Sequence, residues 1–178
     1  FGIAIDSSDN VYITGRFTET AEFNSEGGDT LSADGDYDVF LAKYDSSGVY
    51  QWAHNFGGSK DDAGFGIAVD SLHNVYITGR FTGSVDFNPV GGGNLTSDDS
   101  FDTFFAKYDS FGNYQWAYNI ASGCESSDTG TSCNESERPG GIAVAEESDG
   151  VEYVYLTGRF KGANVDFAPG GMHAIEAT

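Results

Sequence analysis

Three arginines stand at the same place in a recurring stretch of this sequence: Arg16, Arg80 and Arg159, each flanked by Gly and Phe. A guanidinium presents a planar fork of donors, so a ring of such groups can grip a carboxylate or a sulfated glycan. The structural alternative pairs each arginine with a nearby acid, and 28 acidic residues make such partners plentiful, which favours it. Lys43 and Lys107 recur in the same way, and the expectation for them is a stem laid along apolar surface. A second candidate is the alternating acidic triplet Asp34, Asp36, Asp38, echoed by Asp98, Ser100 and Asp102. Oxygen ligands two residues apart in a loop suit calcium. The EF-hand pattern fails, because Val39 stands where that loop needs Gly, and a merely solvated acidic loop is the plainer reading.

Hydrolytic or lyase chemistry would need two carboxylates, or a base with its orienting partner, converging from different parts of the chain. The singular candidates are Glu146, Glu147, His173 and Glu176, and none has a recognisable partner. Nearly every other polar residue in the apolar segments is a repeated one. The expectation is therefore no enzyme.

The elements that carry these residues come in copies. Asn10-Val11-Tyr12-Ile13-Thr14-Gly15-Arg16-Phe17 returns as Asn74–Phe81 and, slightly altered, as Tyr153–Phe160. Gly2 recurs as Gly66 and Trp52 as Trp116, a period of 64 residues, and 17 of 24 positions agree between Phe1–Asn24 and Phe65–Asn88. Asp38–Asp45, Gly48 and Gln51-Trp52-Ala53 return as Asp102–Asp109, Gly112 and Gln115-Trp116-Ala117. The third copy starts at Gly141, behind an insertion, with a second insertion in Ala145–Glu152. The organisation read from this is a unit at 1–64, a second at 65–128 whose insertion runs to 139, and the first half of a third at 140–178. A fixed period outranks other signals, because each copy is one supersecondary unit.

Each unit reads as four main strands: Gly2–Ile5, Val11–Phe17, Val39–Tyr44 and Tyr50–Asn55, with a looser stretch around Phe23 and Gly27-Gly28. Asp6–Asn10 and Asp45–Gly48 carry the turn residues. No helical period appears, so the fold class is all-β and antiparallel. Val39-Phe40-Leu41-Ala42 and Phe104-Phe105-Ala106 are continuous apolar runs, which a strand with one wet face would not show. Both faces must be covered, as when one four-stranded sheet stacks on the next around an axis. That is a β-propeller of about 2.5 repeats of ~64 residues, incomplete because even a four-bladed ring would need about 256 residues. The rest is expected either from more of the polypeptide or from another copy that completes the exposed half-unit.

The net charge of −20 excludes nucleic acid as a partner and opposes docking on anionic lipid. No apolar run is long enough to span a membrane as a helix. Cys124 and Cys133, both in the insertion before the third copy, are expected to form a disulfide, which implies an oxidising compartment. His54 and His73 show no ligand spacing toward them. Asn94-Leu95-Thr96 and Asn134-Glu135-Ser136 are sequons for N-glycosylation at Asn94 and Asn134.

Gly66–Ser71, Asn74–Gly79, Val85–Pro89, Ala106–Gly112 and Tyr114–Ala117, with first-copy counterparts at 2–7, 10–15, 42–48 and 50–53, resemble the bacterial β-propeller repeat called SBBP. The likeness covers most of the chain, departing at Ala21–Ser25, at Ala145 and at the insertions. It implies a secreted or cell-surface propeller, often within a large modular protein. Asp45-x-x-Gly48-x-x-x-Trp52 and its copy ending at Trp116 resemble the Asp-box turns of sialidase propellers, a folding device in which Asp caps the turn and Trp packs between blades. The expected role is thus an extracellular structural or interaction protein: a building block of a surface layer, adhesin or self-assembling fibre, partnered by itself or by further blades. The alternative is a carbohydrate-binding, calcium-assisted propeller module that takes glycans. A glycosidase or lyase fragment ranks last.

Overall fold

The computed structural model describes residues 1–97, 101–120, 138–146 and 152–159. The first unit runs β1 (Gly2–Ile5), β2 (Val11–Phe17), β3 (Thr20–Glu22), β4 (Thr30–Ser32), β5 (Asp38–Tyr44) and β6 (Tyr50–Phe56). The second repeats it as β7 (Ala63–Val69), β8 (Val75–Phe81), β9 (Ser84–Asp86), β10 (Asn94–Thr96), β11 (Asp102–Tyr108) and β12 (Tyr114–Ile120), followed by β13 (Arg138–Glu146) and β14 (Glu152–Arg159). Two four-stranded antiparallel sheets result, ordered β1-β2-β5-β6 and β7-β8-β11-β12, with β13 and β14 paired as a third. The described residues contain no helix. Among the described residues these blade-like sheets do not close into a ring.

The four main strands of the unit fall where the sequence puts them. The looser stretch is more ordered than expected, folding as the small hairpins β3–β4 and β9–β10. Their anchors are Phe23 and Phe87. Phe23 meets Phe17 and Phe40 at ring separations of 6.0 and 5.0 Å, and Phe87 meets Phe81 and Phe104 at 5.7 and 4.5 Å. The carbonyls of these two anchors accept hydrogen bonds from Tyr44 and Tyr108, each at 2.8 Å.

Stacking of one sheet on the next explains the continuous apolar runs. Val39, Leu41 and Ala42 are fully buried, as are Phe104 and Ala106. Phe56 crosses the gap to stack on Tyr108 at 5.1 Å and on Phe87 at 6.0 Å. The strands β1, β7 and β13 lie side by side at successive seams, where glycine allows close approach. A Cβ on Gly2 would stand 2.9 Å from Ile67 Cγ2, and one on Gly66 would stand 3.1 Å from the Ile142 nitrogen. The repeated Gly is therefore a packing requirement between units.

The octapeptide that organises the chain also becomes readable residue by residue. Thr14 and Thr78 donate to the carbonyls of Phe40 and Phe104, each at 2.8 Å. Gly15 and Gly79 leave room for those same phenylalanine rings, since an added Cβ would meet them at 2.8 and 2.5 Å.

Candidate functional site: the seams between sheets

The turn before β2 is built on one carboxylate. Asp6 accepts the N–H groups of Ser8 and Asn10 at 2.8 and 3.0 Å, the Asn10 amide at 2.8 Å and the Tyr12 hydroxyl at 3.1 Å. Asp70 repeats this with Leu72, Asn74 and Tyr76. Burial alone would raise the Asp6 pKa, but the donors from Asn10, Ser8 and Tyr12 outweigh it and hold it at about 2. The Tyr12 and Tyr76 rings meet Trp52 and Trp116 edge-on at 6.3 and 6.1 Å. Burial first, then the neighbouring carboxylates, push both hydroxyl pKa values up.

Each seam is closed across these clusters. His73 Nδ1 lies 3.3 Å from Asp6 Oδ2, and Nε2 is 3.0 Å from the Ser7 hydroxyl. Lys43 Nζ and Trp52 Nε1 both donate to the Ser110 carbonyl of the second sheet, at 3.0 and 3.3 Å. The Trp of the Asp-box turn thus packs between blades. Its Asp caps the turn as well: Asp45 accepts from Ser47 and Val49, and Asp109 from Phe111 and Asn113, all at 2.9 Å. His54 stacks on Trp52 at 5.2 Å, and its burial lowers its pKa. At the second seam Glu152 takes hydrogen bonds from Tyr76 and from Lys107, the latter at 2.9 Å. A groove of about 380 Å3 opens beside it, with Val69, Asp70, Leu72, Ala145 and Glu152 on its walls. Ala145 occupies the place of Asp6 and Asp70, and its short side chain leaves that groove open.

The acidic triplet is not gathered into a cage. Asp34 and Asp36 are exposed, whereas Asp38 is fully buried, its Oδ2 taking the Asp34 N–H at 3.1 Å and the Asn55 amide at 3.4 Å. Burial raises its pKa. Asp102 is buried in the equivalent place and accepts from Asn119 at 3.4 Å. Among the described residues no group of three His, Cys, Asp or Glu side chains is arranged to hold a metal ion. Asn94 is exposed at the start of β10. Asp98, Ser100, Cys124, Cys133, Asn134, Glu147, His173 and Glu176 lie outside the described residues, as does the side chain of Glu146.

The repeated arginines stack on rings: the Arg16 guanidinium sits 4.0 Å from the Tyr37 centroid, and Arg80 sits 4.0 Å from Phe101. Arg16 makes no ion pair among the described residues. Arg159 is exposed on β14. Lys43 and Lys107 lie over the Tyr12 and Tyr76 rings at 5.1 and 4.8 Å.

Two groups were not singled out from the sequence. Glu152 is one, since it lies at the end of an insertion and its role depends on the neighbouring sheet. Asp62 is the other: buried between β6 and β7, it accepts the N–H groups of Gly58 and Thr82 at 3.0 and 2.9 Å. Burial raises its pKa to about 7. No short motif marks it.

Blade-like sheets joined by such seams define the class of protein: a β-propeller repeat module. The family model described as SBBP, β-propeller repeat, matches residues 51–83 of the chain. An uncharacterized WD repeat-containing protein of Acanthamoeba polyphaga mimivirus is 31% identical over 126 residues, covering 65% of this chain and 9% of the relative. The chain thus spans less than a tenth of that relative's length.

Proposed function

We propose that the chain is a non-enzymatic interaction module, a propeller building block whose open faces are covered by further blades of its own kind. A pair of equivalent isoleucines carries this reading. Ile67 on β7 is 8% exposed because it faces β1, while Ile3, its counterpart on β1, is 67% exposed, and Ile5 is 61% exposed. An apolar face that one unit buries against its neighbour is thus left open on another, and a blade of the same shape fits it. The repeated acids of the seams hold turns and tyrosine hydroxyls, which is structural work and needs no substrate. The setting we propose is extracellular, as part of a surface layer, adhesin or fibre. The acidic surface and the exposed Asn94 sequon suit such a setting.

Native mass spectrometry and electron microscopy of the 178-residue chain test this. Concentration-dependent association, abolished by the double variant Ile3→Asp, Ile5→Asp, is the expected result. A chain that stays monomeric at every concentration would overturn self-assembly as its role.

A further inference from the structure

The chain has four arginines, and the strand registers bring all of them to the same end of the sheets. Arg16 and Arg80 are next to last in β2 and β8. Arg159 ends β14 and pairs in register with Arg138 at the start of β13. In a chain with only 8 basic residues against 28 acidic ones, half of the cations share one end of the fold. Dispersing them would serve a solvated acidic surface better.

Between the first two arginines lies a pocket of about 350 Å3, lined by Phe1, Arg16, Phe65, Arg80 and Pro139, with no carboxylate among these residues. Stacking on Tyr37 and Phe101 fixes the plane of each guanidinium, and Phe65 adds a second ring 5.8 Å from Arg80. A stacked guanidinium uses its face for the ring, and its N–H donors project from the edge, where a planar carboxylate accepts two parallel hydrogen bonds. The other described side chains on its walls, Phe1, Phe65 and Pro139, are apolar. The volume lies at the small end of the range for ligand pockets, enough for one sugar acid or a compound of similar size.

We propose that this pocket binds a small carboxylate-bearing ligand. Its carboxylate bridges Arg16 and Arg80, and its apolar face rests on Phe65 and Pro139. The inference is independent of what covers Ile3 and Ile5.

The test is NMR titration of the 178-residue chain, following the arginine Nε–H signals, with galacturonate as probe and with galactose and sulfate as comparisons. Galacturonate should shift the Arg16 and Arg80 signals saturably, and galactose should not. Arg16→Gln and Arg80→Gln should each weaken binding by about tenfold or more. Arg16→Lys keeps a cation over Tyr37 and loses the fork, so it provides a folded variant that should also bind more weakly. Thermal melts of each variant separate lost binding from lost fold. The proposal is overturned if galacturonate causes no saturable shift, or if binding survives both glutamine substitutions. It is equally overturned if galactose or sulfate binds as tightly as galacturonate.

Discussion

His73 of the second sheet stands against Asp6 of the first, Nδ1 to Oδ2 at 3.3 Å, and the same turn position one unit later is Glu152, set against Tyr76 and Lys107. One position in the second unit and its equivalent in the third therefore clasp the aspartate–tyrosine cluster of the unit before, with different chemistry at each seam. In the first unit that position is Asp9, which shares with His73 a left-handed backbone, φ 62° and 65°.

The Lys107–Glu152 pair is partly open to solvent, at 19% and 32% side-chain exposure, so its worth is modest. A double-mutant cycle with Lys107→Met and Glu152→Gln, read by urea unfolding, should give a coupling of about 0.5–1 kcal/mol. The coupling should shrink as salt is raised. A coupling near zero at low salt would remove the clasp as an energetic feature.

Gly79 has no room for a side chain. An added Cβ would lie 2.1 Å from the Ala63 carbonyl oxygen and 2.5 Å from the Phe104 ring. Backbone cannot step aside cheaply, so Gly79→Ala should destabilise the fold by about 2–3 kcal/mol, measured by chemical denaturation. An unchanged midpoint would show that the sheet yields there.

Asp62 gives stability a pH dependence of defined sign. Burial raises its folded pKa from 3.8 to about 7, so the folded state holds this proton more tightly than the unfolded chain does. The resulting stabilisation is present in full below pH 3.8 and is lost as pH rises toward about 7. Thermal melts should therefore show this contribution declining between about pH 4 and pH 7, and Asp62→Asn should flatten the slope over that window. A slope identical in the variant would place the titration elsewhere.

Equivalent substitutions in equivalent strands should differ in cost. Ile67→Ala removes a side chain that is 8% exposed and should cost about 2–4 kcal/mol. Ile3→Ala, at 67% exposure, should cost under about 0.5 kcal/mol in the dispersed chain. In an assembled form the two costs should converge, which melts on either side of the association threshold would reveal.

Much of the blade was readable in advance, because strand, turn and period are local signals. Val11–Phe17 carries its own β-branched and aromatic residues, and Asp6–Asn10 its own turn donors, so those boundaries came out as expected. The hairpins β3–β4 and β9–β10 did not, since three-residue strands around Gly27-Gly28 and Gly91-Gly92 have too little pattern of their own. They are held by Phe23 and Phe87 against residues elsewhere in the sheet. The arginines show the same division. Their repetition was visible, but the aromatic partners Tyr37 and Phe101 emerged only once the strands were paired.

By itself the sequence determined the repeat, the four-stranded unit, the antiparallel sense and the double coverage of β5 and β11. Periodicity and turn chemistry act within a few residues of each other, and copies reinforce the signal. Tertiary structure alone decided that Asp38 and Asp102 are buried, each accepting from an asparagine amide, and that Asp62 is buried between sheets. It also brought Glu152 to Tyr76 and gathered Arg16 and Arg80 around one pocket. Each of those outcomes depends on which face of one sheet meets the next, and that is set by packing between residues about sixty or more positions apart.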